Sequence, residues 1–285
     1  MPVTSAAVSS PAGKGSDSLP VEIELFGAKT HLADSMQFFL EFLLRHGGKG
    51  VFYIMPTFRG EDSDETHLNE FFHSEAEIRG SLDDAIILVN EYLHHCTTCL
   101  LESSGDEIRR AAGTVAHLEA YLASGPTVPQ LTFSDAKDLL KGDPRLFVTF
   151  PDGSSAISRA GERALLATCG PCLWLRHPEC ATVPFYQAIH PDGIHALSAD
   201  FLIGVGEIVG CGERHSDSAA VVSALRAHEI DPIPYAWYLR MKEYLPLRTA
   251  GFGLGLERYL LWVLQHDDIR DLTLIPRLKG QRAAF

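Results

Sequence analysis

The chain has 285 residues, of which 46% are hydrophobic, and its formal net charge is −13 with a Lys+Arg total of only 24. This length and apolar content support one large domain, with or without an insertion. The acidic balance and the lack of a basic run argue against a nucleic-acid partner, since proteins that bind such a backbone carry a positive surface. No apolar stretch reaches membrane-spanning length, and residues 1–20 lack the apolar core of a signal peptide. We therefore expect a soluble, cytoplasmic protein in which residues 1–20 form a disordered leader.

The first half of the chain has a hairpin pattern followed by helices. We predict strands at residues 21–25, 51–58 and 67–78, and a helix at 38–44. A polar loop at 60–66 joins the second and third strands, and this arrangement favours an antiparallel sheet. Residues 81–141 are predicted to be helical, with helices near 82–102, 107–123 and 134–141.

The second half of the chain returns to strands and closes on a helix. The predicted strands lie at residues 146–150, 173–175, 185–189, 195–202 and 207–210. A helix, a glycine-rich strand at 251–255 and a final helix at 256–265 follow. The fold class expected from this order is α+β, with an antiparallel sheet flanked by helices, in one domain that spans 21–285.

Two Cys-x-x-Cys pairs offer the halves of a zinc site. They are Cys96 with Cys99, which follow two histidines, and Cys169 with Cys172. Packing is the favoured interpretation, because the first pair falls on the apolar face of a predicted helix and the second precedes an apolar strand. Reduced packing cysteines suit a cytosolic protein.

Two segments place polar residues where apolar strands end. The first, residues 56–71, contains Arg59 and Glu61. Arg59 could bind an anion, or the two could form an exposed ion pair on a hairpin. The second, residues 251–258, has glycines at three alternate positions, which weaken a strand unless something approaches its backbone closely. Its Gly-x-Gly-x-Gly spacing differs from the dinucleotide-binding fingerprint, and it is not a phosphate-binding P-loop.

Together these segments resemble motifs 2 and 3 of the class II aminoacyl-tRNA synthetases, most closely the asparaginyl and aspartyl enzymes. The resemblance extends in the family's order through Phe26-Gly27, Ser35-Met36-Gln37, Pro184-Phe185-Tyr186 and Asp200 to Arg214, and it ends near Arg277. It implies that residues 21–285 form the family's catalytic domain. That domain would use ATP and Mg²⁺ to convert a small amino acid, asparagine or aspartate, into an aminoacyl-adenylate.

The resemblance also implies a role for each matching residue at the ATP end. Arg59 would bridge the α-phosphate and the substrate carboxylate, and Arg258 would stack on adenine and reach the γ-phosphate, so these two are the expected catalytic residues. Phe71 would stack on the other face of adenine, unless it is an ordinary core aromatic. The implied ATP-binding residues are Arg59, Glu61, His67, Phe71, Glu207, Gly255 and Arg258.

Metal and amino-acid ligands are implied in the same way. Asp200 and Glu207 would bind Mg²⁺, which prefers oxygen ligands, although Asp200 could instead be a solvated strand end. The implied amino-acid-binding residues are Ser35, Gln37, Glu75, Tyr186 and Arg214. A donor at Arg214 and an acceptor at Glu75 would complement a carboxamide, which favours asparagine. Aspartate stays open, because related enzymes that make asparagine from aspartate and ammonia share much of this site.

The sequence departs from the family in three ways. Motif 1, through which the family dimerises, is not recognisable, and the β-barrel that reads the tRNA anticodon is absent. The motif 2 loop is one residue short, with Thr66 where the family has an arginine. We therefore expect transfer to a non-tRNA acceptor, such as ammonia, an amine or a carrier thiol, and a possible homodimer with a rearranged interface. The alternatives are a tRNA ligase that needs a partner and a non-catalytic paralogue that binds ATP or an amino acid.

Overall fold

The structure is a computed structural model that describes residues 19–281 and the backbone of residues 3 and 4. The strands are β1 (Val3–Thr4), β2 (Glu22–Leu25), β3 (Ala28–Leu32), β4 (Gly50–Phe58), β5 (Glu70–Arg79), β6 (Gln130–Thr132), β7 (Phe147–Thr149), β8 (Ser155–Ile157), β9 (Cys172–Arg176), β10 (Ser198–Ile203), β11 (Gly206–Glu213) and β12 (Thr249–Gly255). The helices are α1 (Gln37–Leu44), α2 (Leu82–Ala112), α3 (Ala116–Ala123), α4 (Phe133–Leu139), α5 (Arg159–Cys169), α6 (Ser218–Ala227), α7 (Ala236–Tyr244) and α8 (Leu256–Val263). The predicted leader lies outside the described residues, apart from β1 and residues 19 and 20.

A seven-stranded sheet forms the centre of the fold. Its strands are ordered β4-β5-β12-β11-β10-β9-β6, and every neighbouring pair is antiparallel except β6 with β9. Two smaller sheets, β1-β3-β2 and β7-β8, lie outside it. The predicted α+β class with a mostly antiparallel sheet is confirmed. None of the helices in the described part of the chain is long and apolar enough to cross a membrane.

The glycine-rich strand β12 has two different faces. Phe252 and Leu254 are buried in the largest apolar cluster, together with residues of α2, α3 and α8. Gly251 and Gly253 alternate with them and therefore lie on the opposite face of the sheet, where they leave the backbone uncovered by side chains of their own. The strand thus packs against helices on one side and leaves space for other side chains on the other.

Helix α2 begins where the sequence predicts, at a capping box of Ser81 and Asp84. The prediction that this helix ends near residue 103 is wrong, because the helix only kinks at Ser104 and continues to Ala112. It ends at Gly113, whose φ of 75° places it in the left-handed region that favours glycine.

Three further segments differ from the prediction. Residues 185–189 do not form a strand, because the backbone turns at Pro184 and pairs only through single bridges at Gln187 and Ile189. Helix α5 was not predicted, although Ser158 caps it by accepting a hydrogen bond from the backbone of Gly161. Strand β6 lies inside the segment predicted to be helical.

The cysteines are free in the structure, and their burial varies. Cys172 and Cys211 are buried in the main apolar cluster. Cys99 is exposed, with its Sγ 3.6 Å from Nε2 of His95, so its prediction as a packing residue is wrong. In the described part of the chain, no three histidine, cysteine or acidic side chains are grouped to hold a metal ion.

A buried ion pair joins α1 to α7 on the face of the sheet opposite α2. Glu41 and Lys242 are fully buried, and the Lys242 ammonium lies 2.7 Å from the Glu41 carboxylate. Lys242 also donates to the backbone oxygen of His215 at 2.5 Å, and the Tyr238 hydroxyl donates to Glu41 at 2.8 Å. Aromatic rings of Phe38 and Tyr238 stack beside this pair, with centroids 4.1 Å apart.

We expect Lys242→Met to lower the free energy of unfolding by about 3–5 kcal/mol, because it leaves the buried Glu41 carboxylate without its ion-pair partner. Urea unfolding followed by circular dichroism measures this change. Lys29→Met is the matched control, since Lys29 pairs with Glu22 on the surface and its loss should leave the unfolding midpoint unchanged. Equal midpoints for wild type and Lys242→Met would contradict the assigned role of the pair.

Candidate active site

A cleft of about 700 Å³ lies on the face of the sheet opposite α2. It is lined by β5, β10, β11 and β12, by the loop before β5, and by residues of α1 and α5. Every residue that the sequence analysis assigned to a site lines this cleft: Ser35, Gln37, Arg59, Glu61, His67, Phe71, Glu75, Tyr186, Asp200, Glu207, Arg214, Gly255 and Arg258. Segments that are far apart in the sequence therefore meet in one place.

The loop between β4 and β5 presents Arg59 at one end of the cleft. The Arg59 guanidinium lies over the ring of Phe71, 5.2 Å from its centroid. Asn69 closes the base of the loop, because its amide donates to the backbone oxygens of Arg59 at 2.9 Å and Glu61 at 2.6 Å. The arginine is thus held on a fixed hairpin rather than on a free loop.

A cationic cluster follows the loop. Arg258 lies 2.7 Å from Nε2 of His67, and Arg159 of α5 lies 2.7 Å from Nδ1 of the same ring. Burial, followed by the charge of Arg258, lowers the pKa of His67. Thr66 donates to Asp64 through its backbone and its hydroxyl, so it stabilises the loop and supplies no charge. Arg159 was missed by the sequence analysis, because it belongs to an unpredicted helix.

Three carboxylates face each other beside these cations. Asp200 pairs across the sheet with Gly210, and a Cβ at Gly210 would lie 3.3 Å from Glu207 Oε1 and 4.0 Å from Asp200 Oδ1. Glu162 of α5 accepts a hydrogen bond from the backbone of Glu207 at 3.1 Å. Burial and the charge of Glu207 raise the pKa of Glu162 to about 7 and that of Asp200 well above its usual range.

Two of these carboxylates, Asp200 and Glu207, fit a hard divalent cation, because their oxygens are the ligands that Mg²⁺ prefers. Asp200 and Glu207 lie on neighbouring strands, and the missing side chain of Gly210 leaves room between them. Mg²⁺ keeps several ligands from water and phosphate, so two protein carboxylates suffice. Glu162 was not predicted as a neighbour of this site.

The other end of the cleft is built around Glu75. Its Oε2 accepts hydrogen bonds from the Tyr53 hydroxyl and, at 2.8 Å, from the Ser35 hydroxyl. Nδ1 of His73 lies 2.9 Å from Oε1. Burial alone would raise the pKa of Glu75. The charge and hydrogen bond of His73 lower this pKa, as do the hydrogen bonds from Tyr53 and Ser35. The backbone N–H of Gln37 donates to Oγ of Ser35 at 3.1 Å and so joins this network, while its side-chain amide donates to Glu41 at 3.3 Å.

Arg214 pairs with Glu77, which the sequence analysis did not single out. Its Nε and Nη2 lie 3.0 Å and 2.6 Å from Oε1 of Glu77. The guanidinium is 4% exposed and lies over the ring of Tyr186, 5.5 Å from the centroid. The alternation of Glu75 and Glu77 along β5 was the available signal, since residues two apart on a strand share a face.

Comparison with known proteins identifies the family. The family model for class II tRNA synthetases of the D, K and N type matches residues 4–279. The cytoplasmic asparagine–tRNA ligase of Macaca fascicularis is 31% identical over 267 residues, which cover 90% of this chain and 46% of that relative. The asparagine–tRNA ligase of Thermoplasma acidophilum is 26% identical over 261 residues, covering 90% of this chain and 59% of that protein. The chain thus spans about half the length of the curated relatives it matches.

Solved structures agree with this assignment. Asparaginyl-tRNA synthetase of Pyrococcus horikoshii, complexed with asparaginyl-adenylate, superposes with a TM-score of 0.86 and 26% identity over 99% of this chain and 63% of that one. Aspartyl-tRNA synthetase of Entamoeba histolytica shares the fold, with a TM-score of 0.75 and 20% identity over 88% of this chain and 52% of that one. The chain belongs to the class II tRNA synthetase family of the aspartate, lysine and asparagine type, whose members are ATP-dependent ligases.

Proposed function

We propose that the protein uses ATP and Mg²⁺ to convert asparagine or aspartate into an aminoacyl-adenylate. The observation that carries this proposal is the arrangement of one cleft, with the cations Arg59 and Arg258 beside His67 at one end and Ser35, Glu75 and Arg214 at the other. Anionic phosphates suit the first end and an amino acid suits the second. The cytoplasmic asparagine–tRNA ligases among the relatives and the neighbour that binds asparaginyl-adenylate support the substrate class.

The proposed reaction needs no general base, because the amino-acid carboxylate that attacks the α-phosphorus is already ionised. Arg59 would bring that carboxylate and the α-phosphate together by offsetting their mutual repulsion. Arg258 and His67 would hold the outer phosphates, which leave as pyrophosphate. Mg²⁺ bound by Asp200 and Glu207 would neutralise further phosphate charge. The rate enhancement comes from positioning and electrostatic stabilisation.

The same cleft has a place for each end of the amino acid. Ser35 and Gln37 would fix the amino group near Glu75, whose carboxylate is held ionised by its partners. Glu61 and Phe71 would bind adenine, and Gly255 leaves the backbone open beside Arg258. Tyr186 supports Arg214, which would bind the oxygen of the substrate side chain.

We further propose that the activated amino acid passes to an acceptor other than tRNA: ammonia, an amine or a carrier thiol. The net charge of −13 opposes tight binding to a polyanion. Thr66 gives the loop hydrogen bonds to Asp64 where an arginine would give a positive charge. The second candidate is asparagine–tRNA ligase activity, which the similarity to the asparagine–tRNA ligases of Macaca fascicularis and Thermoplasma acidophilum favours.

Arg59→Ala should reduce adenylate formation by more than a hundredfold, taking about 3 kcal/mol for one transition-state contact of this type. The assay is ATP–pyrophosphate exchange with asparagine and with aspartate. Arg109→Ala is the matched control, because Arg109 pairs with Asp106 on the exposed end of α2. Exchange by Arg59→Ala at the wild-type rate would show that the cleft has been assigned the wrong chemistry.

The acceptor is identified by supplying the enzyme with ATP, amino acid and one candidate at a time. We expect turnover to depend on ammonia, an amine or a thiol, and tRNA to bind weakly in a filter assay at physiological salt. The measured quantities are AMP release and the acylated product. Acylation of one tRNA family by the chain would overturn the non-tRNA proposal and support the second candidate.

We also propose a homodimer, because apolar side chains are exposed on the edge strand of the main sheet. Phe52 and Ile54 of β4 are 76% and 54% exposed, and Phe72 of β5 lies on the same face. Exposed apolar rows on an edge strand are commonly covered by a partner. Light scattering should give twice the 31.3 kDa mass of one chain.

Phe52→Asp should convert this dimer to a monomer, since it places a charge in the proposed interface. Ile87→Asp is the control, because Ile87 is also an exposed apolar residue but lies on α2 rather than on the edge strand. Its exposed fraction is 56%. A monomer for the wild-type chain at tens of micromolar would contradict the proposed assembly.

A further inference from the structure

Two glycines that pair across neighbouring strands leave space for the side chains that hold Arg214. Gly212 of β11 pairs with Gly251 of β12. A Cβ at Gly251 would overlap the Glu77 carboxylate, and a Cβ at Gly212 would overlap the amide oxygen of Gln187 and lie 2.6 Å from its Cδ. The side chains of Glu77 and Gln187 therefore occupy the space that side chains at these glycines would fill.

Both of these side chains hold the same arginine. Nε and Nη2 of Arg214 donate to Glu77, and Nη1 donates to Oε1 of Gln187 at 2.8 Å. A backbone bridge between Gln187 and Arg214 places the two residues side by side. The guanidinium is therefore fixed in direction by two partners and by the ring of Tyr186 beneath it.

The bond to Arg214 determines which end of the Gln187 amide is left over. Because the oxygen accepts from Arg214, the amide nitrogen is the free end. It makes no hydrogen bond with the described residues and is not sealed away from solvent, and Gln187 lines the cleft. Gln187 thus offers donors to the cleft next to the remaining N–H groups of Arg214.

The nearby acceptors are either engaged or buried. Glu77 accepts both bonds from Arg214 on Oε1, and its Oε2 is buried without a hydrogen-bond partner among the described residues. Glu75 accepts from Ser35 and Tyr53 on Oε2, and His73 lies against its Oε1. The part of the cleft around Arg214 is therefore rich in donors. An oxygen of the substrate side chain is the group that such a surface recognises.

We propose that Gln187 is a specificity-determining residue that donates, together with Arg214, to the side-chain oxygen of the amino acid. This inference rests on the function proposed above and extends it to the choice of side chain. Gly212 is required for this arrangement, because a Cβ there would displace the Gln187 amide from Arg214. The opposing view is that Gln187 only supports Arg214 and does not contact the substrate.

Gln187→Glu separates these two views. The carboxylate keeps the shape and the bond to Arg214, but its second oxygen presents an acceptor where the amide presented a donor. The ratio of kcat/KM for aspartate to that for asparagine should fall about a hundredfold, because the new charge repels a carboxylate and accepts from a carboxamide. If Gln187 only supports Arg214, the added carboxylate is neutralised by Arg214 and faces away from the substrate, so the ratio should change far less.

Two further variants remove the donor without adding charge. Gln187→Met and Gly212→Ala should each raise the KM for the amino acid about tenfold, the loss of one hydrogen bond to the substrate, and leave the KM for ATP unchanged. Gln130→Glu is the matched control, since Gln130 accepts from Arg176 at 2.6 Å outside the cleft. Circular dichroism and thermal unfolding check that each variant is folded.

The assay is pyrophosphate exchange with each amino acid, with isothermal titration of aspartate and asparagine as a second measurement. A shifted ratio for Gln187→Glu, absent from Gln130→Glu, supports the inference. An unchanged ratio in a protein that still exchanges pyrophosphate overturns the inference alone. Exchange with neither aspartate nor asparagine in the wild type overturns the proposed function and this inference with it.

Discussion

Between Gly251 and Gly255, strand β12 has no side chains on the face that it turns to the cleft, and the arrangement of charges depends on this. A continuous row of cross-strand neighbours runs Asp200, Gly210, Gly253, Glu75 and Tyr53. The glycine pair in the middle keeps the two acids apart and leaves open space between them. On its other face the same strand buries Phe252 and Leu254, so the fold keeps its core while the cleft stays open. The alternation of glycine with large apolar residues thus serves packing and binding in one strand.

The charges in the cleft and in the buried layer beside it fall into two groups, those paired with an opposite charge and those without such a partner. Arg214 with Glu77 and Lys242 with Glu41 are buried pairs, each supported by further hydrogen bonds. Such pairs do little for stability in themselves, but losing one partner is costly, so they hold the arginine and the helices in one arrangement. Burial raises the pKa of Glu77 to about 7 despite its arginine, because Glu41 is also close.

The acids at the opposite end have no such partners. Asp200, Glu162 and Glu207 repel one another, and Arg258 approaches Glu207 only to 4.0 Å. A divalent cation with phosphates would offset this repulsion at the same time as the cationic cluster of His67, Arg159 and Arg258 offsets the phosphate charge. The two clusters are thus complementary to magnesium–ATP: the acids would bind its cation, and the cationic cluster would bind its phosphates.

The fold class and many of the residues that line the cleft were predictable from the sequence. Strand alternation, the Ser81 cap and the glycine pattern are local signals, and the motif residues lie at strand ends that meet at one sheet face. Matching these motifs to a family therefore placed Arg59, Glu75, Glu207 and Arg258 in the cleft before their contacts were known.

The pairing among these residues depends on the tertiary fold. Arg214 pairs with Glu77, 137 positions away, because the register of β5, β12 and β11 aligns Glu77 with Gly251 and Gly212. Arg159 and Glu162 enter the cleft because α5 packs beside β11, and no local pattern announces that contact. Gln187 meets Arg214 because its segment turns instead of forming the predicted strand. Local periodicity specifies which face a side chain occupies, whereas the register between distant strands specifies what it meets there.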